Sequence, residues 1–475
     1  MRTWKDRVNT QIWKAVKTES DLGSPVSMMC AYLLSVKAKK KQYNTIDDNQ
    51  QQYTTCMSNF IKKKRLLTAE GVSYDGMVNF LSPLGNEAEL FDIFIYALYL
   101  STHPKNLFAL KMYIDSETEC VPYSFCFTNK RLIFDHLTNI EFRNEILQHI
   151  QHDTETKNIL HILTDIDDTV YPSTVGGTDT TYKSKVFYPG VFSFHQQVNK
   201  SNMTTFLSAR PNLGNANLIP LGSADMSDSG QRAYFLNYYN KGEWPHRPNM
   251  MLGESASFVR TLPWASRDFL GKFYGSFITT PAEISHIIKL GDAFEPGMCS
   301  MDNNLLLDKY VSNDSEWATA YKHFGIDKFR SFCQLAQIYP EYRFIFIGDT
   351  GQGDMLGALL MSHHPSMVTS LIRQVIRHKD PYESLVSQKL ENELADRNVF
   401  LFSNYIESAL ILHKMYPGIV SKSNVKDIAI GTHQDFYGRD GDEGSSHIKM
   451  HKVNQQLSTY VRMNIDAYYD EAMSL

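Results

Sequence analysis

Along the first third of the chain, apolar residues recur at three- and four-residue steps, as at Ile12 and Val16 and again at Phe91, Phe94, Ala97 and Leu98, with almost no strand-like alternation before Tyr123. That spacing lines one face of a helix and predicts a mostly helical N-terminal domain over residues 1–156. Its longest apolar stretch, LFDIFIYALYL at 90–100, is interrupted by Asp92. It falls well short of the roughly 20 residues that span a bilayer, so it reads as a buried helix and no transmembrane segment is expected.

After His152 the pattern changes. Short apolar runs end abruptly in Asp, Ser or Gly and alternate with helical stretches, as in an open α/β sheet. The runs at 159–164, 203–207 and 343–347 read as strands, and those at 249–252 and 367–372 are weaker candidates. Five strands suffice for a Rossmann-like parallel α/β sheet, placed here in a domain over residues 157–422. The stretch 211–327 is rich in aromatics, Gly and Pro and longer than a strand-to-strand crossover requires, which predicts an insertion after the second strand. Its aromatics between 233 and 277 read as the core of that insertion, with a lipid-facing cap as the alternative. Residues 423–475 read as a C-terminal extension, loop-like at 431–446 and helical over the final YVRMNIDAYYDEAM.

A chain of 475 residues, 43% hydrophobic and 21% charged, is a soluble protein of more than one folded unit. A net charge of −5 argues against nucleic acid held by overall electrostatics. The basic clusters KAKKK at 37–41 and KKKR at 62–65 read as solvated faces, an anionic membrane surface being the alternative partner. The N-terminal MRTWKDRVNTQIWKAVK lacks the uninterrupted apolar stretch of a secretory leader, and six scattered cysteines form no C-x-x-C pair. Free thiols and a cytoplasmic location, at most peripheral to membranes, are therefore expected.

The candidate chemistry lies at strand ends. HILTDIDDTVYP is an apolar strand ending in Asp165, Ile166, Asp167, Asp168 and Thr169, and residues just past the carboxyl end of a central strand face the ligand crevice of such a sheet. Two carboxylates at i and i+2 can divide phosphoryl transfer, Asp165 attacking phosphorus while Asp167 protonates the leaving oxygen and later activates water. Their like charges call for a cation, and Mg2+ suits one or two carboxylates plus phosphate oxygen and water. A second acidic strand end, RFIFIGDTGQGD, supplies Asp349 as a metal ligand, with Asp354 as a further ligand or as the group that holds the loop. The metal set is thus Asp165, Asp167, Asp349 and Asp354. Ser208, closing the strand in TTFLSARP, can donate to a phosphoryl oxygen, and Lys328 in GIDKFRSF can balance the charge of Asp165 and the phosphate. Thr169 and Arg210 are candidate substrate contacts, each with a plainer reading: a helix cap for Thr169 and a surface ion pair for Arg210. Asp168 reads as a turn residue. No GxxxxGK phosphate loop, no GxGxxG after a strand and no GxSxG elbow occurs, so nucleotide motors, dinucleotide oxidoreductases and serine hydrolases have no support.

DIDDT, the strand-end Ser208, Lys328 and GDTGQGD follow in order the four motifs of the haloacid dehalogenase superfamily, which this stretch resembles. More narrowly, DIDDTV at 165–170, YPGV at 188–191, LSARP at 207–211, Lys328 ahead of Tyr339-Pro340, GDTGQGD at 348–354 and IRQV at 372–375 resemble the actin-patch-associated phosphatidate phosphatase family. The resemblance covers roughly residues 159–421. It implies a haloacid dehalogenase-type fold and magnesium-dependent hydrolysis of phosphatidate to diacylglycerol at a membrane surface. Two other functions use the same residues: a phosphatase of soluble small molecules or proteins, and a lipid-binding module without catalysis. The retention of Asp165, Asp167, Lys328 and Asp349 together weighs against the last.

Overall fold

A computed structural model of the chain describes residues 104–116, 128–152, 158–172, 186–211, 228–253, 322–350, 353–375, 388–438 and 458–475, with single positions in 92–102 and 179–182. The chain divides into two compact units, Met1–Thr156 with Gln337–Glu341, and Lys157–Ala336 with Tyr342–Leu475. Among the described residues no helix is long and apolar enough to cross a membrane.

The described part of the first unit is helical: α1 (Pro104–Ser116), a π-helical turn (Arg131–His136) and α2 (Ile140–His152). The described positions of the 90–100 stretch are helical and buried, and Asp92 stays there because it accepts from the Thr138 N–H and hydroxyl and the Asn139 N–H at 2.6–3.0 Å. Buried Lys111 is likewise satisfied, donating to both Glu341 oxygens at 2.7 and 2.9 Å and to the Ile338 carbonyl at 2.8 Å. The two basic clusters lie outside the described residues.

The second unit is built on six parallel strands: β1 (Ile159–Thr164), β2 (Met203–Pro211), β3 (Arg247–Gly253), β4 (Tyr342–Asp349), β5 (Met367–Arg373) and β6 (Val399–Phe402). Their order is β3-β2-β1-β4-β5-β6, the arrangement of a doubly wound sheet. The chain leaves β1 toward β2 and β3, then returns to the other side of β1 with β4, so the order reverses between β1 and β4. That is where such sheets bind ligands. All of β5 and nearly all of β1 and β4 are buried, which explains why none of them alternates apolar with polar residues: strands covered on both faces show no alternation.

The connections are helical: α3 (Val191–Val198), α4 (Asp228–Asn240), α5 (Lys322–Ile338), α6 (Asp354–Ser362), α7 (Gln388–Ala395), α8 (Tyr405–Met415), α9 (Lys422–Tyr437) and α10 (Ser458–Ser474). Residues 228–253 of the expected insertion form α4 and β3, an integral part of the parallel sheet, while 254–321 lie outside the described residues. Tyr234, Phe235, Tyr238 and Trp244 pack with Tyr171, Phe187, Phe192 and Phe206 as part of the core of the sheet domain, Tyr239 packs against that core, and the aromatics from Trp264 to Phe277 are outside the described set. The expected C-terminal extension begins with α9, whose Val425, Ile428, Ala429 and Phe436 enter the main core with Val461 and Ile465 of α10. Cys333 of α5 is disulfide-bonded, so the six cysteines are not all free thiols.

Candidate active site

Three segments converge at the switch point. Asp165 is the first residue past β1, and its N–H donates to the Ile347 carbonyl of β4 at 2.8 Å, extending the ladder by one step. Asp349 is the last residue of β4, and Asp354 opens α6 five residues on. One oxygen from each of Asp165, Asp349 and Asp354 lies within 4.8 Å of the others, and all three side chains are buried. Lys328, two turns into α5 and also buried, places its ammonium 3.0 Å from Asp165 Oδ1 and in contact with Asp354 Oδ1. Its reach depends on a close crossing of α5 over the start of α6. A Cβ at Gly325 would stand 2.4 Å from the Gly353 carbonyl and 3.2 Å from the Gly357 nitrogen, so only glycine allows the approach.

Burial pushes all three carboxyls upward. For Asp165 the Lys328 ammonium opposes that rise and Asp167 adds to it. Asp349 is held well above the carboxylate range by burial, then by Asp354, Asp165 and Asp168. Asp354 is pushed up to about 7 by burial with Asp165, against the pull of Lys328. Burial alone would lower the Lys328 ammonium, but Asp165, Asp354 and Asp349 outweigh it and keep it protonated above the ordinary lysine range. Among the described residues three buried carboxylates thus face one buried cation, and Asp165 Oδ2 accepts no hydrogen bond. A divalent oxygen-binding cation fits such a donor set. Asp165 and Asp349 are the better placed to hold it, because Asp354 also serves the turn: its Oδ1 meets Lys328 and its Oδ2 accepts from the Asp349 N–H at 3.2 Å.

The other predicted residues fall in distinct places. Asp167 is half-buried and stands outside the three-carboxylate group, so its side chain does not join the expected metal set; it acts on Asp165 through its charge. Thr169 is buried and its hydroxyl lies 3.5 Å from Asp349 Oδ2, which makes it a neighbour of that carboxylate rather than of Asp165. Ser208 is buried near the carboxyl end of β2, beside β1. The backbone of Arg210 belongs to β2, and its side chain lies outside the described residues.

A second buried group braces the turn that follows β1. Asp168 adopts φ 57°, and its carbonyl accepts from Arg373 of β5 at 3.1 Å. Arg373 is ion-paired with Asp179 at 2.6 Å and stacks on the Tyr188 ring at 3.6 Å, while the Tyr188 hydroxyl donates to Asp179 at 2.6 Å. Arg373 and Tyr188 each fall in a quoted motif, IRQV and YPGV, and a charged residue closing a fully buried strand was the available signal. Asp179 carried none. Comparison with family models, with curated proteins and with solved structures finds no match to this chain.

Proposed function

We propose that the chain is a magnesium-dependent phosphate-monoester hydrolase working through an aspartyl-phosphate on Asp165, with phosphatidate as its favoured substrate. The observation that carries this reading is the buried convergence of Asp165, Asp349, Asp354 and Lys328 at the carboxyl ends of β1 and β4.

An Asp165 carboxylate oxygen attacks phosphorus, the ester P–O bond breaks, and Asp167 gives its proton to the departing alkoxide. Asp167 then takes a proton from water, whose oxygen attacks the aspartyl-phosphate; inorganic phosphate leaves and the Asp165 carboxylate is restored. Asp165 and Asp349 would hold the magnesium ion, which would supply neutralisation of the phosphoryl charge. Lys328 holds the Asp165 carboxylate in place and offsets its charge, and Asp354 fixes Lys328 against the Asp349 turn. Ser208 is the candidate donor to a phosphoryl oxygen. The choice of phosphatidate rests on the resemblance of residues 159–421 to the phosphatidate phosphatase family.

The test is phosphate release from dioctanoyl phosphatidate micelles and from a panel of soluble phosphate esters, with and without magnesium, for the wild type and Asp165→Asn. Magnesium-dependent release from phosphatidate that Asp165→Asn abolishes is the expected result. Turnover of soluble esters alone would keep the chemistry and discard the lipid, and no turnover of any ester would discard the enzyme.

A further inference from the structure

We propose that Arg373 is a positioning residue that clamps the nucleophile turn from below, fixing Asp165 and Asp167 through the backbone of Asp168. The inference rests on the phosphatase reading for its kinetic consequence, although the clamp itself is a property of the fold.

The turn after β1 needs such a clamp. The Val170 N–H donates to the Ile166 carbonyl at 2.9 Å and the Asp168 N–H to the Tyr171 carbonyl at 2.8 Å, so the chain doubles back within one turn. Asp168 accomplishes the reversal at φ 57°. That left-handed conformation costs a residue with a side chain about 1–2 kcal/mol, and it persists where the surroundings enforce it. Two side chains from the far half of the sheet do so at successive carbonyls: Arg373 donates to that of Asp168 at 3.1 Å, and the Tyr405 hydroxyl to that of Thr169 at 3.0 Å.

Arg373 is itself immobilised. It pairs in register with Asp349, and its carbonyl accepts from the Thr350 N–H at 3.0 Å. Its side chain, 2% exposed, therefore crosses the end of β4 to reach the turn after β1, a span of two strand spacings, roughly 10 Å. Asp179 takes up the guanidinium charge at 2.6 Å and Tyr188 covers one face. A guanidinium paired and stacked in this way is spoken for within the protein, which distinguishes it from an arginine held ready for a phosphate. The Asp179 N–H in turn lies 3.4 Å from Asp168 Oδ1, so the ion pair braces the same residue by side chain and backbone.

The experiment compares full-length wild type, Arg373→Met and Arg373→Lys by hydrogen exchange of the peptide covering 165–171 and by kcat and KM for para-nitrophenyl phosphate with magnesium. For Arg373→Met the clamp predicts faster exchange of that peptide and a kcat lowered roughly hundredfold, the usual penalty of about 1 Å of misplacement, with KM within about twofold. Arg373→Lys keeps a charge for Asp179 but not the planar fork that also serves the carbonyl, so its kcat falls between the two. It carries the test should Arg373→Met not fold. Unchanged exchange in the variants overturns the clamp. A lowered melting temperature with unchanged kcat makes Arg373 merely structural and overturns the positioning role. A KM raised by the full factor at constant kcat overturns it in favour of direct phosphate binding. An inactive wild type refutes the proposed function alone, and the exchange comparison still decides the clamp.

Discussion

Replacing Lys328 by methionine keeps most of the buried stem and removes an ammonium in direct contact with Asp165 and Asp354. Deleting one partner of a buried ion pair commonly costs about 3–5 kcal/mol, because the remaining charge is stranded in low dielectric. At about 2 °C per kcal/mol for a folding unit of this size, the melting temperature should fall by about 6–10 °C in EDTA. Magnesium should narrow the gap. With the competing ammonium gone, the ion binds the variant more tightly than the wild type. At saturating magnesium the gap closes by RT ln of the ratio of the two dissociation constants, about 2.7 kcal/mol for a hundredfold difference.

The assay is a thermal melt of wild type and Lys328→Met at neutral pH in EDTA and across a magnesium titration. It reads the electrostatics of the site without requiring turnover. A variant that melts within about 1 °C of wild type in EDTA would mean that Lys328 does not offset the cluster. A gap that magnesium leaves unchanged would mean that Lys328 does not compete with the ion, and no shift of either protein by magnesium would mean that the three carboxylates do not hold it.

Two further outcomes follow from the same structure. Gly190 sits at φ +83° where α3 begins, and a Cβ there would come within 2.0 Å of Thr432 Oγ1 on α9; Gly190→Ala should cost about 2–5 kcal/mol, combining left-handed strain with overpacking, and Thr432→Ala in the same chain should recover only the overpacking share in urea unfolding. Burial holds His161 at about 3, with His246 adding to the effect. The unfolded chain binds a proton below about 6.5 that the folded chain refuses, so stability present above that pH declines as pH falls toward 3, by about 2 kcal/mol at pH 5 for this residue. His161→Gln should remove that share of the slope in unfolding curves at pH 7 and pH 5, and an unaltered slope would show that His161 is not the group responsible.

The parts of the fold legible in the sequence were those set by local pattern. β1 and β4 read as mainly apolar runs because both their faces are covered, β5 read more weakly because Thr369 and Ser370 interrupt it, and DIDDT and GDTGQGD are visible because strand ends carry the acids. β6 escaped because VFLF is four residues long and only half its side chains are buried. β3 was assigned in part to an insertion because its neighbours are aromatic-rich, yet those aromatics, Phe235 and Trp244 among them, are what seats α4 against the sheet. α9 was hidden by a loop-like tail: the Gly-rich 438–446 colours the composition of the helix before it, whose start is marked by a capping box of Ser421 and Asn424.

The site divides in the same manner, and charge balance separates its two halves. Around Arg373 the ionic contact is matched, one guanidinium against Asp179 with Tyr188 completing the shell, and a matched buried pair serves geometry. Around Lys328 the described residues set three carboxylates against one ammonium, and burial drives the protonation of those carboxyls upward. A fold gains nothing from an acid cluster it cannot neutralise, since apolar residues of like volume would serve stability as well or better. The excess negative charge is therefore the feature that calls for a ligand, and its position at the reversal of strand order is where a doubly wound sheet offers one access. Sequence exposes the unmatched half, because its acids stand in short motifs. The matched half joins Asp168, Asp179, Tyr188 and Arg373 across more than two hundred residues of chain, and only the folded sheet brings them together.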